Sequence, residues 1–311
     1  MGSILAIKIS ILIMLLDYVE STEMAYQIIK SFEDKLKSDN KSIYTIIAYT
    51  KDIEQFLDFC ENSRKKLLEK ISSDDIEAFI QDRKKKGYTL KSISRKLNSI
   101  KTFFRFAIEN KHIEENPSSK ISHPKLETQT PRILTTQEYR ALRDACRKDQ
   151  RLYSIVELLI QTGMKIGELC RLELNDIIYK GQNPSKLRIK KYESSHEREV
   201  PLNEPASQAI KDYLKIRPKF DGKETLFLTK TGNPLLMRNI RFYLDRAFKK
   251  AGIKNATVND LRNTFIAHHL SKGTSILFIS QIVGHKRVST TERYANLLGI
   301  SKEKTNSLEV L

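Results

Sequence analysis

Cysteine is scarce in this chain of 311 residues, with three in all, widely spaced at 60, 146 and 170. An odd number, each inside an apolar helical pattern, excludes a disulfide framework and reads as buried thiols in a reducing, cytoplasmic setting. No cysteine–histidine cluster has zinc spacing, and His268 and His269 are adjacent, so a helix would point them in different directions. Neither a metal nor a cofactor is expected. Long hydrophobic runs are also missing. Ile4–Leu16 is the nearest, but Lys8 and Ser10 interrupt it and it is short for a bilayer. A secretory signal would need a basic start and a small-residue cleavage site, whereas Met-Gly-Ser opens the chain and Asp17 follows the run. Residues 1–23 therefore read as an upstream start or an extra N-terminal helix, with a membrane anchor as the alternative. Acidic residues are outnumbered too, 38 against 55 lysines and arginines, which leaves a formal charge of +17. Such an excess attracts a polyanion without regard to sequence, although a soluble lysine-rich protein has the same composition. The excess is concentrated toward the C-terminus, about +6 over residues 24–126 and about +13 over 127–311.

From Met24 to about Lys111 the pattern is helical throughout. Ile28, Ile29 and Phe32 mark a first helix, and Tyr49, Ile53, Phe56, Leu57 and Cys60 a second. Ser72 with Asp75 caps a third, which Gly87 ends after four consecutive cations, Arg83–Lys86. A fourth helix over Leu90–Asn110 turns Ile93, Leu97, Ile100, Phe104 and Ala107 inward. Lys91, Arg95, Lys96, Lys101 and Arg105 stand mostly outward, an arrangement suited to docking on a core and on nucleic acid together. Residues 116–133 carry three prolines and no apolar period, which predicts a linker.

Beyond the linker, Thr135 and Glu138 form a capping box, and a longer apolar helix leads into Thr162-Gly163-Met164-Lys165-Ile166-Gly167-Glu168-Leu169. Leu187–Lys191 and Glu199–Leu202 read as two short strands around a polar turn. Leu236–Ala251 is a basic helix bearing Arg238 and Arg241. The closing stretch, Asn259–Leu297, orders Arg262, His285 and Tyr294 along one helical segment broken at Gly273 and Gly284. Arg262 opens its first helix, and Ser289 with Glu292 caps its last.

The LR..F at Leu261, the Gly284-His285 pair and a tyrosine nine residues after that histidine resemble the C-terminal signature of the tyrosine recombinases, the phage-integrase and Xer family. The Thr162–Leu169 stretch is similar to the family's first catalytic motif except that Lys165 stands where the motif has arginine. Asn259 likewise stands where the family has His or Lys. Glu197-Arg198 with Val200-Pro201-Leu202 matches the family's hairpin, whose tip carries a general-acid lysine. Counting back puts Glu193 or, with one insertion, Tyr192 at the tip, so Lys191 is the candidate and Lys190 the alternative. Leu226–Leu228 with Gly232 and Pro234 resembles the family's third strand and its turn.

The resemblance implies a mainly α fold with a small antiparallel sheet. It comprises a helical core-binding, SAM-like domain at 24–115, the linker at 116–133, an α+β catalytic domain at 134–300 and a tail at 301–311. It also implies a site-specific recombinase that cuts and rejoins double-stranded DNA through a 3′-phosphotyrosine, as a homo- or hetero-tetramer on DNA. Tyr294 would be nucleophile, with Arg262, His285, Lys165, Asn259 and Lys191 around it. Lys91, Arg95, Lys96, Arg198, Arg238 and Arg241 would contact DNA. An impaired or partner-dependent DNA-binding homologue is the second expectation. A type IB topoisomerase shares the chemistry but lacks this combination of front domain, LR..F and GH.

Overall fold

A computed structural model describes residues 26–62, 68–126, 130–191 and 196–299. The expectations for residues 1–23, the hairpin tip and the tail at 301–311 fall outside these. Two compact units divide the chain, Met1–Thr128 and Gln129–Leu311. Among the described residues the secondary structure is mainly helical, with one three-stranded antiparallel sheet. No described helix is long and apolar enough to cross a membrane.

In the first unit, α1 (residues 26–38) and α2 (Ile43–Asn62) precede α3 (Ser73–Lys85) and α4 (Leu90–Glu109). Ser72 caps α3 as its spacing predicts, its backbone N–H donating to Asp75 Oδ2 at 2.7 Å. The apolar stripe of α4 builds the core. Phe103 meets Phe32 edge-on at 5.3 Å, and Phe56 bridges Phe79 and Phe104 at 5.3 and 6.0 Å. Such edge-to-face pairs add to the area they bury.

Lys96 corrects the outward-facing expectation for α4. It is 4% exposed and turned into the interface with α2, where its ammonium donates to Asp52 Oδ1 at 2.8 Å and Gln55 Oε1 at 2.6 Å. Asp52 also accepts from Ser99 and Arg95. A buried carboxylate needs this much compensation, and α4 supplies it one turn wide. Lys91 remains exposed, while Arg95 is exposed but tethered.

The second unit is built around α6 (Gln150–Thr162), whose last nine residues are all buried. α5 (Thr136–Cys146) starts at the expected Thr135–Glu138 box, with reciprocal bonds of 2.9 and 3.2 Å. After the short α7 (Ile166–Leu169) come β1 (Ile177–Lys180), β2 (Asn183–Ile189) and β3 (Arg198–Pro201), in that spatial order. Leu187 and Val200, opposite each other in the register, are fully buried. The third strand is thus β1, not Leu226–Leu228. Those three residues are buried consecutively, without the alternation of a half-exposed strand, and make single links to Leu172 O at 2.7 Å and from Leu235 N–H at 3.0 Å. α8 (Glu204–Ile216) and α9 (Met237–Lys250) follow, then α10 (Val258–Ser271), α11 (Ile276–Val283) and α12 (Ser289–Leu297).

Two boundaries in this closing stretch differ from expectation. α10 begins at Val258, because Thr257 and Asp260 form a capping box at 2.7 Å that sets Arg262 one turn inside the helix. α12 begins with Ser289 itself, since Val288 before it is already in the right-handed helical region. Ser289 is therefore not the N-cap.

Candidate active site

The Thr162–Leu169 stretch ends α6 and starts α7 in three residues. Gly163 closes α6 at φ +60°, and a Cβ there would lie 2.4 Å from the Phe265 ring, so only glycine fits. The freed Gly163 carbonyl accepts from Arg262 Nη1 at 2.6 Å, which anchors α10's arginine to the α6–α7 corner. Lys165 stands at the N-cap of α7, its backbone N–H donating to Glu168 Oε2 at 2.9 Å.

Glu168 is the buried hub of the corner, 3% exposed. Arg198 on β3 grips it through Nη1 at 3.0 Å and Nη2 at 2.8 Å, and its Nε donates to the Ile282 carbonyl of α11 at 2.6 Å. Burial works against the Glu168 carboxylate, but the bonds and charge of Arg198 outweigh it and hold its pKa below the usual range. Arg198 is therefore a buried tie between strand, corner and α11. Its expected place among exposed DNA-contacting cations is corrected, because the ERxVPL strand turns it toward Glu168.

α11 ends at Gly284, φ +68°, and His285 follows with its backbone N–H on Ser280 O at 3.0 Å. Its Nδ1 pairs with the fully buried Thr291 hydroxyl at 2.7 Å, which orients the ring. Burial first, then the cations Arg262, Lys165 and Arg198, push the imidazole down to about 4. His285 is neutral at pH 7, a hydrogen-bonding group among fixed positive charges. Its ring is stacked nearly parallel to Tyr294, centroids 6.4 Å apart.

Tyr294 lies half-buried on α12, its hydroxyl donating to Asn263 Oδ1 at 2.9 Å. Burial raises its pKa, Arg262 and Arg293 oppose that, and Asp260 adds to it. Arg262 itself is lowered by burial to about 10 while Glu168 pulls the other way, so it stays charged at pH 7. Arg262 thus acts electrostatically on both Tyr294 and His285, and Lys165 acts on His285.

Asn259 is exposed, three residues before Arg262 on α10. Lys191 is exposed beyond the end of β2 and shares with Glu168 a cavity of about 370 Å³. Lys190 is tied away to Glu173 at 2.5 Å and Asp176 at 3.5 Å. Arg238 and Arg241 stand exposed on α9 above buried Ile240, Leu244 and Phe248. Sequence reasoning missed Asn263 and Thr291 as partners of the tyrosine and histidine. Their positions beside Arg262 and inside the last helix were visible; that their side chains turn inward was not. Among the described residues no group of histidines, cysteines and carboxylates could hold a metal.

Two cations, a neutral histidine and a helical tyrosine are thus coupled on a mainly helical frame. The chain belongs to the phage integrase family, which it matches over residues 132–299, and the family's N-terminal SAM-like domain matches over 29–111. The tyrosine recombinase XerC of Bacillus pumilus is 30% identical over 278 residues, covering 86% of this chain and 90% of that one. The XerC of Thermodesulfovibrio yellowstonii is 31% identical over 275 residues, covering 85% and 88%. The fold is similar to that of a lambda integrase tetramer bound to a Holliday junction, with TM-score 0.69, 22% identity and coverage of 90% and 79%. It is also similar to the Tn1549 transposon integrase in complex with transposon right end DNA, with TM-score 0.70, 22% identity and coverage of 86% and 94%.

Proposed function

We propose that this protein is a cytoplasmic site-specific DNA recombinase that breaks and rejoins double-stranded DNA through a 3′-phosphotyrosine. The observation that carries the reading is the joint placement of Tyr294 and His285, rings 6.4 Å apart, beside Arg262 anchored on Gly163. The Tyr294 oxygen attacks the scissile phosphorus and loses its proton to water. The bond to the 5′ oxygen breaks, and that oxygen gains a proton. A phenoxide is a good leaving group in return, so the bond energy is kept and the strand can be rejoined without a cofactor. Arg262 and Lys165 neutralise the charge that develops on the phosphorane. His285, neutral, donates a hydrogen bond there. Lys191 is the proton donor for the leaving oxygen, and Asn259 supplies a further hydrogen bond.

Lys91, Arg95, Arg238 and Arg241 contact the DNA backbone, and the active assembly is a homo- or hetero-tetramer on DNA, as the solved lambda integrase assembly is a tetramer on a Holliday junction. The test is a set of nicked duplexes tiled across the DNA that carries the gene, each incubated with the protein. A covalent adduct that Tyr294→Phe abolishes is the expected result. The absence of any adduct while the duplexes are bound overturns it.

One observation favours a second reading. Lys165 has no planar fork and Asn259 has no proton to transfer, so an impaired or partner-dependent DNA-binding homologue fits the same geometry. An adduct that forms only with a second recombinase present selects the partner-dependent case.

A further inference from the structure

We propose that Asn263 is a positioning residue for the nucleophile, holding the Tyr294 hydroxyl against α10 through its side-chain amide. The proposal rests on the reading of Tyr294 as nucleophile. Asn263 directly follows Arg262 in the chain, and its Oδ1 accepts the Tyr294 O–H at 2.9 Å. Its Nδ2 is committed elsewhere, to Asp260 Oδ1 and to the Arg132 backbone carbonyl, each at 3.3 Å. Those two acceptors fix the amide orientation: a flipped amide would turn its oxygen toward two other oxygens.

Both acceptors are themselves held. The other oxygen of Asp260 takes the Thr257 backbone N–H at 2.7 Å and hydroxyl at 3.0 Å in the α10 capping box. Arg132 is pinned by Glu138 at 2.7 Å and by the Lys254 carbonyl. The tyrosine sits on the short α12, and among the described residues the polar hold on its hydroxyl comes from this one amide. An amide oxygen accepts a hydrogen bond without taking the proton. Asn263 therefore places the phenol beside Arg262 yet leaves it protonated until the phosphate arrives. A displacement of about 1 Å at a reacting atom costs on the order of 10²-fold in rate, so an amide that sets this oxygen's position is worth that much to cleavage.

The first test contains no DNA. The full chain is labelled with 3-fluorotyrosine, and the Tyr294 resonance is assigned by its loss in Tyr294→Phe. Asn263→Leu, close in shape but without the acceptor, is expected to move that resonance while the other tyrosine signals stay. Asn263→Ala removes the acceptor that favours the neutral phenol without adding bulk or charge, and is expected to lower the ionisation midpoint of Tyr294. This second variant stands if the first fails to fold.

The second test is single-turnover adduct formation on the nicked duplex that the wild type cleaves. Asn263→Leu is expected to slow it about 10- to 100-fold with duplex affinity unchanged. A Tyr294 signal and midpoint indifferent to both variants overturn the hold. A signal that moves with an unchanged adduct rate overturns its part in positioning. Absence of a wild-type adduct on any duplex counts against the recombinase reading, which the DNA-free spectra separate from the hold itself.

Discussion

Arg198 makes two hydrogen bonds to the buried carboxylate of Glu168, at 3.0 and 2.8 Å, and that pair fastens β3 to the α6–α7 corner. Its Nε reaches the last turn of α11 at the Ile282 carbonyl, 2.6 Å away. The side chains of Arg198 and Glu168 are 9% and 0% exposed, so each is the other's replacement for water. Lys165 and His285 flank this tie, one at the start of α7 and one just past α11. The geometry of the site thus depends on a pair that makes no reaction step.

Glu168→Gln leaves the Arg198 charge buried without its counterion. It is expected to cost about 3–5 kcal/mol of stability. Urea unfolding followed by circular dichroism checks this, and a loss under 1 kcal/mol contradicts the role given to the pair.

Gly284→Ala is expected to damage the site by a different route. A Cβ at residue 284 would meet Arg198 Nη1 at 2.7 Å, on a backbone at φ +68°. Strain and displacement together are expected to destabilise by about 1–3 kcal/mol and to slow adduct formation more than stability alone explains. The comparison is Gly252→Ala, φ +72° with open space around it, which carries the backbone strain without the clash.

Lys165→Arg restores a planar fork at the α6–α7 corner. Adduct formation is expected to rise about 10- to 100-fold, measured in single turnover at saturating protein. An unchanged or lower rate shows that residue 165 does not meet the phosphate.

Two histidines, His269 fully buried and His285 partly so, set an acid limit. Burial and the neighbouring cations push His285 down to about 4, and burial and His268 push His269 down to about 3, against an ordinary value of 6.5. Both are neutral when folded and take up protons when unfolded, so the stability they contribute is complete above pH 6.5. It is lost as the pH falls from 6.5 toward 4 for His285 and toward 3 for His269. His269 is fully buried, and neither ring nitrogen has a hydrogen-bond partner among the described residues. Each unit of depression is worth about 1.4 kcal/mol at most. His269→Leu is therefore expected to lose less stability than wild type between pH 7.5 and 5, read by urea midpoints at the two pH values.

Salt dependence separates DNA-facing cations from structural ones. Lys91→Ala and Arg238→Ala are each expected to reduce the slope of log affinity against log salt on a random-sequence duplex by about 1. Lys96→Met is expected to leave the slope alone and to destabilise the first unit, because Lys96 neutralises Asp52 inside it.

Much of this architecture was legible in the chain. Period and caps located α3 in the first unit and α5 in the second, since Ser72–Asp75 and Thr135–Glu138 are local patterns that the backbone satisfies by itself. They misled where a neighbouring residue capped better, as Thr257 does for α10. Strands were harder: β1 is four residues long and its burial alternates poorly, so periodicity gave no sign of it.

For the site, the resemblance of the LR..F, Gly284-His285 and Thr162–Leu169 motifs to the family's signature picked out Tyr294, His285, Arg262 and Lys165, and glycines at 163 and 284 mark the helix ends beside Lys165 and His285. A sequence determines residue types, local caps and the order of charged groups, since these depend on near neighbours. Which cations point inward is decided only when distant carboxylates are brought up to them. Asp52 claims Lys96 from 44 residues away, and Glu168 claims Arg198 from 30. Asn263 meets Tyr294 across 31 residues in the same way. Desolvation makes those pairings obligatory once the core closes, and no local pattern encodes them.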